Sequence, residues 1–188
     1  MAKEITVAVP EGKTAEWVNG VLTLVDEKKK DDRPVTERIK TFEDAYNELG
    51  KDHALCIEYD ALANSTDYTP SLFMLSMMKI SIITAALNEG WSPEFKEGEY
   101  RYSPYFELFT KKEIDDMSDE EKQEKRLCLV GGNAYDGLAC GLACVYSSSA
   151  FSGADAYFGY RLAYRTSDLA KYSGMQFCEI WKDVIFCK

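Results

Sequence analysis

The stretch from Leu72 to Leu87, LFMLSMMKISIITAAL, is the longest apolar run in the chain, broken only by Lys79 and diluted by Ser76, Ser81 and Thr84. A membrane-spanning helix needs about twenty predominantly apolar residues. This run is shorter, so it predicts a helix buried in a protein core rather than a span. Gly90 and Pro93 follow closely and predict where that helix must stop. With 188 residues, 46% of them hydrophobic, the chain is long enough to cover such a helix within one main domain.

Charge narrows the function classes. The net charge of -10 argues against nonspecific nucleic-acid binding, which relies on Lys and Arg to neutralise phosphates. The six cysteines, at 56, 128, 140, 144, 178 and 187, are too scattered for a disulfide scaffold. With no signal peptide at the start, reduced thiols made in a cytoplasm are the expectation, for a protein that is either cytoplasmic or virion-associated. Cys140 and Cys144 are spaced C-x3-C with no second pair, and His53 is the one histidine. A zinc site needs four suitable ligands, so no metal and no cofactor are expected, and the cysteines read as small buried apolar residues.

The elements follow from pattern. Alternating apolar residues flank Asn19-Gly20, which predicts a hairpin with a type I′ turn. The expected organisation is an N-terminal β-hairpin extension over 1–25, a charged linker over 26–34 and a main domain over 35–188. Thr36 is read as the N-cap of a helix with Ile39, Phe42, Tyr46 and Leu49 on one stripe and Gly50 as its stop. Residues 51–70 read as irregular. YRYSPYFELF (100–109) reads as a strand with its proline at an edge. The charged run 111–126 predicts a short exposed helix, because Ser118 and Glu121 are spaced as a capping box. Strands are expected over 127–130, 141–147 and 157–165, and then one helix capped by Ser167. Leu169, Tyr172, Phe177, Ile180, Trp181 and Val184 would form its apolar stripe against the sheet. The fold class is α+β, a small antiparallel sheet packed by helices.

Tests for chemistry give little. GGNAYDG (131–137) lacks both the G-x-G-x-x-G spacing and a Gly-Lys-Ser/Thr ending. There is no G-x-S-x-G elbow. His53 with Cys56 or Cys140 is the one conceivable Cys-His pair, and it defines a minor alternative, a small Cys/His enzyme.

Residues 131–165 are compositionally unlike the rest. They hold six of the twelve glycines, seven alanines, four serines and five tyrosines, with no Lys, Glu, Gln, Met or Trp. Together with the five residues before them they read RLCLVGGNAYDGLACGLACVYSSSAFSGADAYFGYRLAYR, which resembles the closing part of a C-type-lectin-like fold. That version is shared by formylglycine-generating-enzyme-like domains and the variable proteins of diversity-generating retroelements. The matching residues are Leu129, Val130, Gly131, Gly132, Gly159, Tyr160, Arg161 and Leu162, while Ala134 stands near where the pattern has Trp. The longer pieces TERIKTFEDAYNELG, ALNEGWSPEF, YRYSPYF and GYRLAYRTSDLAKYSGMQFCEIWKDVIF resemble an uncharacterised family from phages and prophages of gut Bacteroidetes.

The retroelement resemblance implies a specific cause for the composition. Mutated template adenines turn AAY codons into NNY codons, and these never encode Lys, Glu, Gln, Met or Trp. Tight packing of small residues between turns explains the same composition without mutagenesis. On the first explanation the segment is a binding surface, where tyrosine supplies rigid amphipathic area and Ser, Gly and Asn adaptable hydrogen bonds. The residues expected to meet a protein or glycan ligand are Asn133, Tyr135, Asp136, Tyr146, Ser148, Asp155 and Tyr157. Arg161 is expected to hold the fold. The leading function is a non-enzymatic phage or prophage binding protein. The alternative is an intracellular phage factor that counters host defence by binding a nucleotide or a host protein.

Overall fold

The computed structural model describes residues 8–18, 20–26, 31–94, 96–130, 140–151 and 162–186. They form an α+β protein with two antiparallel sheets, one of two strands and one of three. The chain divides into two units, Met1–Arg33 and Pro34–Lys188. In the first, β1 (Lys13–Val18) pairs with β2 (Val21–Asp26), and the Val18↔Val21 register leaves a two-residue turn. Gly20 takes a φ of 80° there, a conformation glycine adopts without steric cost. Asn19, on which the expected turn type also depends, lies outside the described residues. Trp17 on this hairpin is 73% exposed.

The second unit is organised around α4 (Leu72–Leu87), whose N-terminus is capped by the Ser71 hydroxyl accepting from the Met74 amide. Ile80, Ile82, Ile83 and Leu87 are fully buried, and Ser76, Thr84 and Ala86 nearly so. Burial at consecutive positions means that this half of the helix is covered on more than one side. Lys79 is accommodated by placing its ammonium 5.3 Å from the centre of the Phe42 ring, a cation–π contact. Among the described residues no helix is long and apolar enough to cross a membrane.

The N-terminal helical region differs from the single helix expected after Thr36. There are two helices, α1 (Val35–Arg38) and α2 (Phe42–Leu49). Thr41 and Asp44 form a reciprocal capping box that starts α2 afresh. The Asp44 carboxylate accepts from the Lys40 and Thr41 amides at 3.0 and 2.9 Å. Gly50 ends α2 with a φ of 85°, as its place in the sequence suggested. The segment read as irregular contains α3 (Ala54–Ala63). Its N-cap is His53, whose Nδ1 accepts from the Leu55 amide at 3.3 Å; histidine is not among the usual caps. Phe42, Tyr46 and Tyr59 meet edge-to-face between α2 and α3. The Tyr46 hydroxyl donates to Asp60 at 2.6 Å.

Past the helices the chain enters β3 (Tyr100–Phe109), then α5 (Lys111–Asp116) and α6 (Asp119–Glu124). The Ser118–Glu121 capping box is present as expected, and a second box, Thr110–Glu113, starts α5. β4 (Cys128–Leu129) and β5 (Gly141–Phe151) complete a sheet of order β3-β5-β4. Most of the strand expected over 157–165, including Arg161, lies outside the described residues. In its described part only Tyr164 pairs, through a two-way backbone bridge to Tyr102.

The C-terminal helix is likewise two. α7 (Ser167–Gln176) is capped by Thr166 rather than Ser167, the Thr166 hydroxyl accepting from the Leu169 amide. The chain leaves helical geometry at Phe177 before α8 (Cys178–Phe186). The expected stripe still faces the core: Leu169, Phe177 and Trp181 are buried, and Tyr172, Ile180 and Val184 pack against them.

α7 lies on β3 and β5, and Gly174 sets how closely. A Cβ built on Gly174 would sit 2.4 Å from the Cys144 Sγ, 2.8 Å from the Cys144 Cβ and 2.9 Å from the Pro104 Cβ. Helix propensity favours alanine over glycine by about 1 kcal/mol, whereas overpacking a tight core costs about 1–3 kcal/mol. With three close contacts against buried atoms the clash dominates. Gly174→Ala should therefore lower unfolding stability by about 2 kcal/mol, read as a lower denaturant midpoint with an unchanged slope.

Acid should act through the α2 cap. The backbone amide of Lys40, then the Thr41 hydroxyl, hold the Asp44 carboxyl below its ordinary value of 3.8. A depressed folded-state value means that the ionised carboxylate stabilises the fold above the ordinary value, and this contribution is lost as pH falls through the lowered one. The stability difference between wild type and Asp44→Ala should be constant near neutrality and shrink below about pH 4, as measured by denaturation at a series of pH values.

Candidate functional site: the Tyr105–Tyr146 face of the β3–β5 sheet

Which side chains point away from α7 is decided by one irregularity. β3 and β5 run in register from Phe109↔Gly141 to Phe106↔Cys144, and then Tyr105 pairs with Tyr146. Val145 is thus an extra residue on β5, a β-bulge, and it inverts the alternation beyond it. Before the bulge Cys144 faces α7, beside Gly174. After it the helix-facing positions are Pro104, also beside Gly174, and Ser147, whose hydroxyl lies 2.6 Å from that of Ser167 on α7. Tyr105, Tyr146, Ser103 and Ser148 are therefore directed away from α7.

On that face Tyr105 and Tyr146 stack, with ring centroids 4.3 Å apart and planes 12° from parallel. They are 43% and 49% exposed. A hydrogen bond with Tyr105, followed by desolvation, raises the Tyr146 phenol above its ordinary value of 10.0, so it remains a neutral donor and acceptor at physiological pH. Ser148 is exposed one strand step further along, opposite Ser103. Glu107 is exposed on β3, and its charge adds to the upward pressure on Tyr146. Arg101 lies further along β3 on the same side by alternation, opposite Ala150, and is fully buried, so this side of the sheet is covered at that end.

Of the residues expected to meet a ligand, Tyr146 and Ser148 are described, and both lie on this face. Asn133, Tyr135, Asp136, Asp155 and Tyr157 lie outside the described residues. Tyr105 and Glu107 were not anticipated. Their strand was legible, but the register that brings Tyr105 onto Tyr146 depends on the bulge, which nothing in the local sequence marks. The alternating aromatics of YRYSPYF were the available signal.

The other chemical candidates have structural employment. His53 caps α3 through Nδ1. Cys56 is fully buried with Sγ 3.9 Å from the Tyr46 carbonyl, and burial pushes its thiol upward, away from the thiolate that nucleophilic chemistry requires. Of the C-x3-C pair, Cys144 is buried and desolvation pushes its thiol up to about 11. Among the described residues, no group of three or more His, Cys, Asp or Glu side chains could hold a metal ion.

The tyrosine pair can be followed in solution. In a spectrophotometric titration of tyrosinate, Tyr105→Phe should move one phenol, that of Tyr146, down towards its ordinary value, because the larger cause of its elevation is removed. An unchanged titration would show that the two hydroxyls are not coupled. In comparisons with known proteins, no family model, no curated protein and no solved structure matches the chain.

Proposed function

We propose that this is a non-enzymatic binding protein of phage or prophage origin, which engages a protein or glycan through the tyrosine- and serine-bearing face of its β3–β5 sheet. The observation that carries the reading is the exposed, stacked Tyr105–Tyr146 pair. Tyrosine has few rotatable bonds and offers both apolar area and a hydroxyl, so it loses little entropy when a ligand covers it. Here each ring is also held by the other and by a paired strand, which lowers the ordering cost further. Ser148 and Ser103 add small hydroxyl-bearing positions beside the rings.

The composition of 131–165 supports a finer version, in which the surface is diversified through AAY-derived codons. Sequencing sibling copies of the gene tests it. Differences concentrated at such codons within this segment would support diversification, and an even spread through the chain would remove it.

Binding itself is tested with the double variant Tyr105→Ala/Tyr146→Ala, screened beside wild type on glycan arrays and on envelope preparations from gut Bacteroidetes. Aromatic residues at the centre of an interface commonly account for 2 kcal/mol or more, so affinity should fall by about thirtyfold or more. Tyr68→Ala, an exposed tyrosine before α4, serves as the control. Undiminished binding by the double variant would sink the assignment of this face.

A further inference from the structure

Two of the cysteines approach each other where β4 meets α8. Cys128 opens β4 and pairs with Leu142 of β5, while Cys178 is the first residue of α8, with its Sγ 3.9 Å from the Leu142 carbonyl oxygen. Cys128, Leu142 and Cys178 form a buried cluster separate from the main core, with Phe106, Val130 and Phe186 packed against it. Within it the Cys128 thiol donates to the Arg126 carbonyl and the Cys178 thiol to the Leu142 carbonyl, each at 3.9 Å. Neither is disulfide-bonded. Cys128 is 7% exposed and Cys178 3%, so both residues are largely screened from solvent.

From this juxtaposition we infer that Cys128 and Cys178 are a peroxide-sensitive dithiol, which closes to a reversible disulfide between β4 and α8. The roles are unequal. The neighbouring Cys128 side chain lowers the Cys178 thiol, and the positive charge of Lys182 acts in the same direction, against burial and the Glu179 carboxylate. The N-terminus of α8 also favours an anion at that position. The neighbouring Cys178 in turn raises Cys128, as does burial. Cys178 is thus the attacking thiolate and Cys128 the resolving thiol.

The Cys178 thiolate attacks one oxygen of hydrogen peroxide and the O–O bond breaks, giving a sulfenic acid and a hydroxide that takes up a proton to become water. The Cys128 sulfur then attacks the sulfenic sulfur. The S–S bond forms, the S–O bond breaks, and the second water leaves with the Cys128 proton. Two thiols lose two electrons and one peroxide becomes two waters. An external dithiol reverses the change.

The full-length folded protein is exposed to stoichiometric hydrogen peroxide, quenched with a thiol-alkylating reagent, digested and mapped by mass spectrometry. The expected product has lost two hydrogens and contains a linked pair of peptides carrying Cys128 and Cys178, and dithiothreitol restores both to alkylation. Because the bond closes a long loop, the oxidised protein should melt several degrees above the reduced one. That shift should vanish in Cys128→Ala and Cys178→Ala while persisting in Cys56→Ala. Treatment in urea, where the fold no longer selects partners, should give mixed linkages. Recovery of both cysteines as free thiols, arrest of Cys178 at the sulfinic acid, or preferential linkage of Cys178 to Cys144 would each overturn the inference. Wild-type protein suffices for the mapping, so a variant that fails to fold does not leave it undecided.

Discussion

Much of the main unit depends on the hydroxyl of Tyr164. The residue is completely buried, and its oxygen lies 2.9 Å from the Thr84 hydroxyl on α4 and 2.6 Å from the Ser173 hydroxyl on α7. Ser173 in turn accepts from the Trp181 indole on α8 at 3.2 Å. The Tyr164 backbone meanwhile exchanges both hydrogen bonds with Tyr102 on β3. One residue therefore joins three helices and the sheet through polar groups that would each be costly to bury alone. Immediately after α4, the buried side chain of Asn88 donates to the Ala163 carbonyl and accepts from the Arg165 amide. Glu89 then receives Arg38 and Arg165 on its two carboxylate oxygens. The apolar burial of α4 supplies the driving force, and these directed contacts select one arrangement of the pieces around it.

The same geometry bears on the recognition proposed for the face that carries Tyr105 and Tyr146. α7 covers one side of β3 and β5, and the absence of a side chain on Gly174 lets it approach within contact of Cys144 and Pro104. The strands are thereby fixed from behind. Side chains on the other side, Tyr105 and Tyr146 among them, rest on paired backbone rather than on a loop. Rigidity of the support, more than chemical reactivity, is what this face would bring to the proposed binding.

How much of this was legible in the sequence varies by mechanism. The helix of Leu72–Leu87, the hairpin around Gly20, the strand of 100–109 and the Ser118–Glu121 box were readable because each rests on short-range pattern. The α3 helix was missed because ALCIEYDALA has no clear polar face and begins at a histidine cap. The divisions at Thr41 and Phe177 were missed because an apolar stripe continues across both breaks, so periodicity alone reports one helix where caps and turns make two. Tyr146 and Ser148 stood out through the composition of their segment. Tyr105 did not, since its partnership is a property of strand register rather than of neighbours along the chain.

The bulge at Val145 has a consequence for how this protein can change over generations. Because one surplus residue decides which side chains of β5 point outward, the length of that strand is fixed even where its residues are exchangeable. Deleting or adding a single codon near it would turn Tyr146 and Ser148 towards α7 and bring Ser147 and Ser149 out in their place. Replacing outward side chains leaves the packing beneath untouched. The surface is thus open to mutation by exchange of letters and closed to mutation by change of length.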